Sequence, residues 1–200
     1  MKKLNNKGFT LVELVAAMGI LGMIALAVST LMTAGTNMYS GVQKRSNILY
    51  KSQVAALQME EYLVNVGSDD GIAIDGNTLY IVDKSEEKLT VFQLDPAEDK
   101  DTLNLLEYGV TVPENLTDSP SYGVEALTEN IPFSNNIAGV EYSPFYESSG
   151  GKNFAYAIRF NLTITKNGLT YDKNSLVYLK NKPVFVSGDN AVDELLELVF

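Results

Sequence analysis

Cysteine and histidine are both missing from this 200-residue chain. Without cysteine there is no disulfide framework and no thiolate nucleophile. Without histidine there is no imidazole base or ligand, so most hydrolase triads and transition-metal sites are excluded. What remains is carboxylate, lysine, tyrosine or serine chemistry. Neither catalysis nor a cofactor is expected, and no metal ligand set is assigned. The lack of disulfides fits a compartment that does not rely on them. Basic residues are also scarce, 15 against 25 acidic ones, for a formal charge of −10. That balance disfavours nucleic acid, whose phosphates need a basic surface, and gives the body no attraction to anionic lipid headgroups. Apolar residues make up 46% of the chain, enough for a packed core. The length suits one domain plus an appendage.

The charge that is present is unevenly placed. Lys2, Lys3 and Lys7 precede an apolar run, and from Leu14 to Gln43 no charged residue occurs. Glu13 is the only acid before Glu60. A helix needs ~20 apolar residues to cross ~30 Å of hydrocarbon, and this segment is long enough. Lysines ahead of it keep the amino end cytoplasmic and send the rest of the chain, from about Ala34, across the membrane. A conventional signal peptide would use Ala25-Leu26-Ala27 as its cleavage site. However, the apolar run continues beyond it through Val28, Leu31 and Met32. A plain membrane anchor would have no use for Glu13, where an ionised group costs up to ~3 kcal/mol on insertion scales.

The stretch Lys7-Gly-Phe-Thr-Leu-Val-Glu-Leu14 resembles the processing site of type IV prepilins and type II secretion pseudopilins. Leader, Gly-Phe junction, acid and long apolar helix stand in the family's order. The resemblance implies that residues 1–8 are a leader, that prepilin peptidase cuts between Gly8 and Phe9, and that the new amine of Phe9 is methylated. It also implies that Glu13 pairs with the amino terminus of a neighbouring subunit during assembly. Glu13 lies four residues after Phe9, one helical turn along on the same face. The bland reading of Glu13 is a carboxylate near a helix N-terminus, favoured by the dipole. Many family members carry a proline in the exported half of the membrane helix. Thr30 stands there in this chain, with Gly19 and Gly22 as weaker points.

Beyond Gly35 and Gly41 the pattern becomes amphipathic. Val42, Leu49, Ala56 and Leu63 repeat every seven residues, which predicts a helix to about Val66 with Gly67 as its cap. The cover for its apolar stripe is expected from a sheet of the same chain. "IAI", "TLYIVD" and "LTVFQLD" read as strands, with "DGN" and "KSEEK" as turns between them. In "FAYAIRFNLTIT" the residues Phe154, Tyr156, Ile158, Phe160, Leu162 and Ile164 are placed on one face. Arg159, Asn161, Thr163 and Thr165 are placed on the other, as in an antiparallel sheet wet on one side. Gly168 turns the chain into a further strand, which Pro183 should end. From Asp95 to Gly151 only short strands and loops are expected, with "DPAEDKD" and "YESSGGK" both read as loops. "NAVDELLELVF" reads as a short helix capped by Asn190 or as an edge strand, with Phe200 packed.

The fold class expected is thus α+β, a long N-terminal helix packed on an antiparallel sheet as in pilins. The segments are a leader at 1–8, an apolar assembly helix at 9–34, an exported helical half at 35–66 and a β-rich body at 67–200. The pattern looks most like that of J-type minor pseudopilins and related minor pilins. The resemblance implies prepilin peptidase, other pilin subunits and an inner-membrane assembly platform as partners, with membrane lipid before assembly. The alternative function is an extracytoplasmic binding module, an adhesin, behind a conventional signal; an anchored enzyme ranks third. Other candidates favour bland roles. The acidic groups Asp69, Asp70, Asp75 and Asp95, Glu98, Asp99, Asp101 read as solvated loops rather than calcium sites. Tyr142, Phe145 and Tyr146 beside Pro144 read as core or loop anchors rather than an adhesive surface. The sequons at Asn115 and Asn161 carry no glycosylation expectation in such a system.

Overall fold

The structure is a computed structural model that describes residues 10–94, 102–113, 122–127, 131–166 and 168–200. The chain falls into two units, Met1–Ser46 and Asn47–Phe200. Helix α1 runs Leu11–Val64. In the first unit its residues are exposed apart from half-buried Ser40, and an 18-residue window of α1 has a mean hydropathy of 2.4. Four hydroxyls between Ser29 and Thr36 are satisfied by the helix itself. Ser29 Oγ donates to the Ala25 carbonyl at 2.9 Å, and Thr30, Thr33 and Thr36 make equivalent bonds to Ala27, Ser29 and Thr33. Each hydroxyl thus brings its own acceptor, which suits a segment surrounded by hydrocarbon.

In the second unit, the last turns of α1 lie on a ten-stranded sheet. Ile48, Ser52, Ala55, Ala56, Met59 and Leu63 are its buried residues. These recur at the 3.6-residue period. The seven-residue stripe expected from the sequence is only partly used: Ala56 and Leu63 are buried, whereas Leu49 is half-buried and Val42 is exposed. A straight helix drifts against a strict heptad, so the buried face passes through Ile48 and Ala55 instead. Ser52 fits this seam because its hydroxyl bonds the Leu49 carbonyl at 2.7 Å.

The helix stops at Val64, and Gly67 ends the segment differently from expectation. It is not among the positive-φ glycines. Its N–H donates to Asp70 Oδ2, and an added Cβ would come within 2.8 Å of that oxygen. Glycine here leaves room for the close approach of a carboxylate rather than serving as a left-handed cap.

The strands are β1 Gly71–Asp75, β2 Thr78–Asp83, β3 Lys88–Leu94, β4 Thr102–Thr111, β5 Gly123–Ala126, β6 Ile131–Asn135, β7 Ile137–Ser149, β8 Lys152–Lys166, β9 Leu169–Tyr178 and β10 Val184–Ser187. Their order is β5-β4-β3-β2-β1-β10-β8-β7, with β6 also on β4 and β9 also on β8. All pairings are antiparallel except β1 with β10, where Gly71 faces Val184 in a parallel register. Strand β9 ends at Tyr178, five residues ahead of Pro183 rather than at the proline expected to end it, and the chain re-enters as β10 directly after that proline. The apolar "VFV" of β10 marks that strand in the sequence.

Both faces of the central strands are covered. Ile72, Leu79, Phe92, Leu103, Leu105 and Phe185 join α1 in one core. Ala73, Val82, Leu89, Val91, Val110, Val184 and Val186 form a second core with the terminal helix α2, Ala191–Val199. Four successive residues of β1 and of β3 are buried for this reason. A sheet wet on one side therefore does not describe its centre. Asn190 starts α2 in a left-handed conformation, but its side chain makes no capping bond. Phe200 packs against Tyr122, ring centres 6.1 Å apart.

Strand β8 changes faces midway. Opposite Phe145 and Tyr146 of β7 stand Ala157 and Ala155, so Tyr156 is the extra residue of a bulge. Ile158, Phe160, Leu162 and Ile164 remain on the α1 side, whereas Phe154 packs into the α2 core and Tyr156 is exposed. The single six-residue face read from the alternation is thus broken at Tyr156. The region expected to hold short strands and loops contains two long ones, β4 and β7. "YESS" is strand, and the loop is only Gly150-Gly151, with φ of 60° and 80°. Two left-handed residues make the tight hairpin turn that fits strand twist. Pro144 is tolerated because β7 stands at the end of the strand order.

Candidate functional site

Of the three residues singled out at the amino end, Gly8 and Phe9 lie outside the described residues. Glu13 sits in the first turn of α1. Thr10 N and Thr10 Oγ1 both donate to Glu13 Oε2 at 3.0 Å, and Glu13 N donates to Thr10 Oγ1 at 3.3 Å. The Leu14 N–H reaches the Thr10 carbonyl at 3.2 Å and opens the helical ladder. This is a reciprocal capping box, in which Thr and Glu three residues apart satisfy each other's orphan N–H groups. Such caps stabilise a helix by ~0.5–2 kcal/mol in water. They matter more where water cannot replace them. Thr10 is not among the residues singled out from the sequence, although Thr-x-x-Glu before an apolar run is a legible capping signal.

The geometry leaves the carboxylate half engaged. Both Thr10 donors converge on Oε2, and Oε1 accepts no bond among the described residues. Glu13 can therefore keep its helix start capped while its second oxygen takes a cationic donor. Oxygen of an ionised carboxylate forms the stronger, charge-assisted class of hydrogen bond.

The candidates in the body are structural. Asp70 receives the N–H groups of Gly67 and Lys84, and no cluster of three potential metal ligands occurs among the described residues. The Asp95–Asp101 group lies outside the described residues, as does Asn115. Asn161 is half-buried on β8. Tyr142 packs against the α1 core, and Tyr146 stacks on Phe185 at 5.2 Å. Phe145 carries the Arg159 guanidinium 5.3 Å from its ring centre. Tyr142 and Tyr146 thus anchor β7 to the body.

Residues 3–35 match the family model described as the prokaryotic N-terminal methylation motif. The matched span holds the Gly8-Phe9 junction, the Thr10–Glu13 cap and most of the uncharged helix. No curated protein and no solved structure matches the chain. The motif supports membership of the type IV pilin and pseudopilin family, and α1 and the sheet are consistent with a pilin-like fold.

Proposed function

We infer that a chain bearing the N-terminal methylation motif of type IV pilins and pseudopilins works as a structural filament subunit, here of the minor-pilin kind. Prepilin peptidase removes residues 1–8, and the amine of Phe9 is methylated. The apolar half of α1 holds the subunit in the membrane, amino end cytoplasmic and β-rich body exported, until it enters a filament. Glu13 then receives the amino terminus of a neighbouring subunit.

One observation carries this reading: among the described residues, Glu13, the single acid of the apolar segment, is bound through Oε2 alone. An anion in hydrocarbon is costly without partners, and a methylated amine is a cation of matching size and charge. Thr10 holds the carboxylate in place at the helix start, so little side-chain freedom is lost when the amine arrives.

N-terminal sequencing of the exported chain tests the processing step. A start at a methylated Phe9 is expected; a start at Val28 or an intact Met1 would overturn it. Glu13→Val is expected to insert normally yet be depleted from sheared filaments.

A further inference from the structure

We propose that a cleft beside the last turns of α1 is the socket for the basic stretch Lys44–Lys51 of a second copy of this chain. The proposal deepens the assembly reading above and rests on it. The cleft has a volume of about 470 Å³ and lies between α1 and strands β2 and β3. Tyr62, Val66 and Ile81 give it an apolar lining, and Glu61, Asp83 and Glu86 add carboxylates. Among the described residues its one cation, Lys88, is already paired with Glu107 at 2.6 Å. Asp83 is fixed by the N–H groups of Ser85 and Glu86. Such a site suits an ammonium or guanidinium on an aliphatic stem: the stem lies along the apolar lining and the head meets the acids.

The same chain supplies the matching group. Between Lys7 and Lys84 the only cations are Lys44, Arg45 and Lys51. All three are exposed, and none is in an ion pair among the described residues. From Glu60 to Glu87 the sequence carries eight acids (Glu60, Glu61, Asp69, Asp70, Asp75, Asp83, Glu86, Glu87) and one lysine. Opposite charges are thus segregated along the chain. Lys51 cannot meet Glu61 of its own copy, because it lies ten positions earlier on the same helix, about 15 Å along the axis. The pairing is therefore between molecules. One copy thus offers the basic stretch and the other the acidic cleft, two patches that complement each other in charge. Charge complementarity of this kind sets register and partner choice more than raw affinity.

The absence of cysteine makes a direct test clean. Full-length chain carrying Lys51→Cys and Glu61→Cys is expressed with its peptidase and assembly system, treated with a short bismaleimide, and the sheared filaments are analysed. A cross-linked pair of copies is expected, absent from either single-cysteine chain. A companion test reverses charge: Glu61→Lys or Lys51→Glu alone should lower incorporation at least about threefold, and the two together should restore it. Leader removal and entry into filaments without the cross-linked pair would sink the socket and leave the assembly reading standing. Cross-linking of Glu61→Cys to a different protein would likewise overturn a second copy as the occupant. An unprocessed chain absent from filaments would end both.

Discussion

Lys84 Nζ donates to the carbonyl oxygen of Val199 at 2.6 Å, joining the β2–β3 turn to the end of α2 across 115 residues of sequence. Helix α2 has no basic residue in its last turn. Lys84, with Lys152 on the Leu198 carbonyl at 3.4 Å, supplies from outside the cations that its exposed carbonyls and dipole favour. Lys84→Ala should lower stability by about 0.5–1 kcal/mol, and Lys84→Arg by less. Thermal unfolding of the full chain in detergent, with near-ultraviolet dichroism as the probe, measures this.

Gly71 sits where α2 crosses β1. A Cβ at this position would come within 2.6 Å of both Leu195 Cδ1 and Val199 Cγ2. Gly71→Ala should therefore overpack the α2 core and destabilise by about 1–3 kcal/mol. Pairing it with Leu195→Ala should recover part of the loss. Denaturant midpoints of the single and double variants decide the matter.

The β2–β3 turn gives a pH signature. Burial pushes the Asp83 carboxyl up, but hydrogen bonds from Ser85 and the Glu86 N–H, with Lys88 nearby, outweigh it and hold the group below its ordinary range. A depressed carboxyl contributes stability above its unfolded value, and that contribution fades as pH falls through the folded value. Asp83→Ala should thus cost about 1 kcal/mol at neutral pH and progressively less in acid. Lys88 behaves in the opposite sense. Its hydrogen bond to Glu107 holds it above the usual lysine range, so its contribution is complete at neutral pH and is lost as alkaline pH passes the folded value. Urea titrations across pH, wild type against each alanine variant, read both limbs.

Thr10 separates capping from charge at the amino end. Thr10→Val removes the hydroxyl that both donates to Glu13 and accepts its N–H, whereas Thr10→Ser retains it. Membrane insertion should be unchanged in both. Filament incorporation should fall severalfold in the valine variant alone, because Glu13 then loses the side chain that positions it. Quantitative blotting of membrane and sheared fractions tells the two apart.

Much of the fold is legible in the sequence where one signal dominates. The uncharged run from Leu14 to Gln43 forms helix, and "TLYIVD" forms β2 to the residue. Gly168, with φ of 74°, stands directly before β9 where the sequence reads as a turn. The features that are not legible depend on contacts distant in sequence. The second core exists because α2 returns to the sheet, and nothing local in "GIAI" distinguishes a strand buried on both faces from a short buried helix. The bulge at Tyr156 is invisible to a period-two count, since the residues on either side keep alternating in type. Strands β4 and β7 are obscured by Gly109, Gly139 and Pro144, which read as breakers but lie in ladders held by β3 and β8. At the amino end the acid stands out for its charge, and its short-range partner Thr10 is easily passed over beside it.

The kink at Tyr156 has a mechanical corollary. Ahead of it, Phe154 belongs to one hydrophobic compartment; after it, Ile158 to Ile164 belong to the other. A single continuous ribbon therefore stitches both halves of the body together, and neither can loosen without tugging on its twin. A force applied at either end of the ribbon is thereby shared between the two cores instead of falling on one of them.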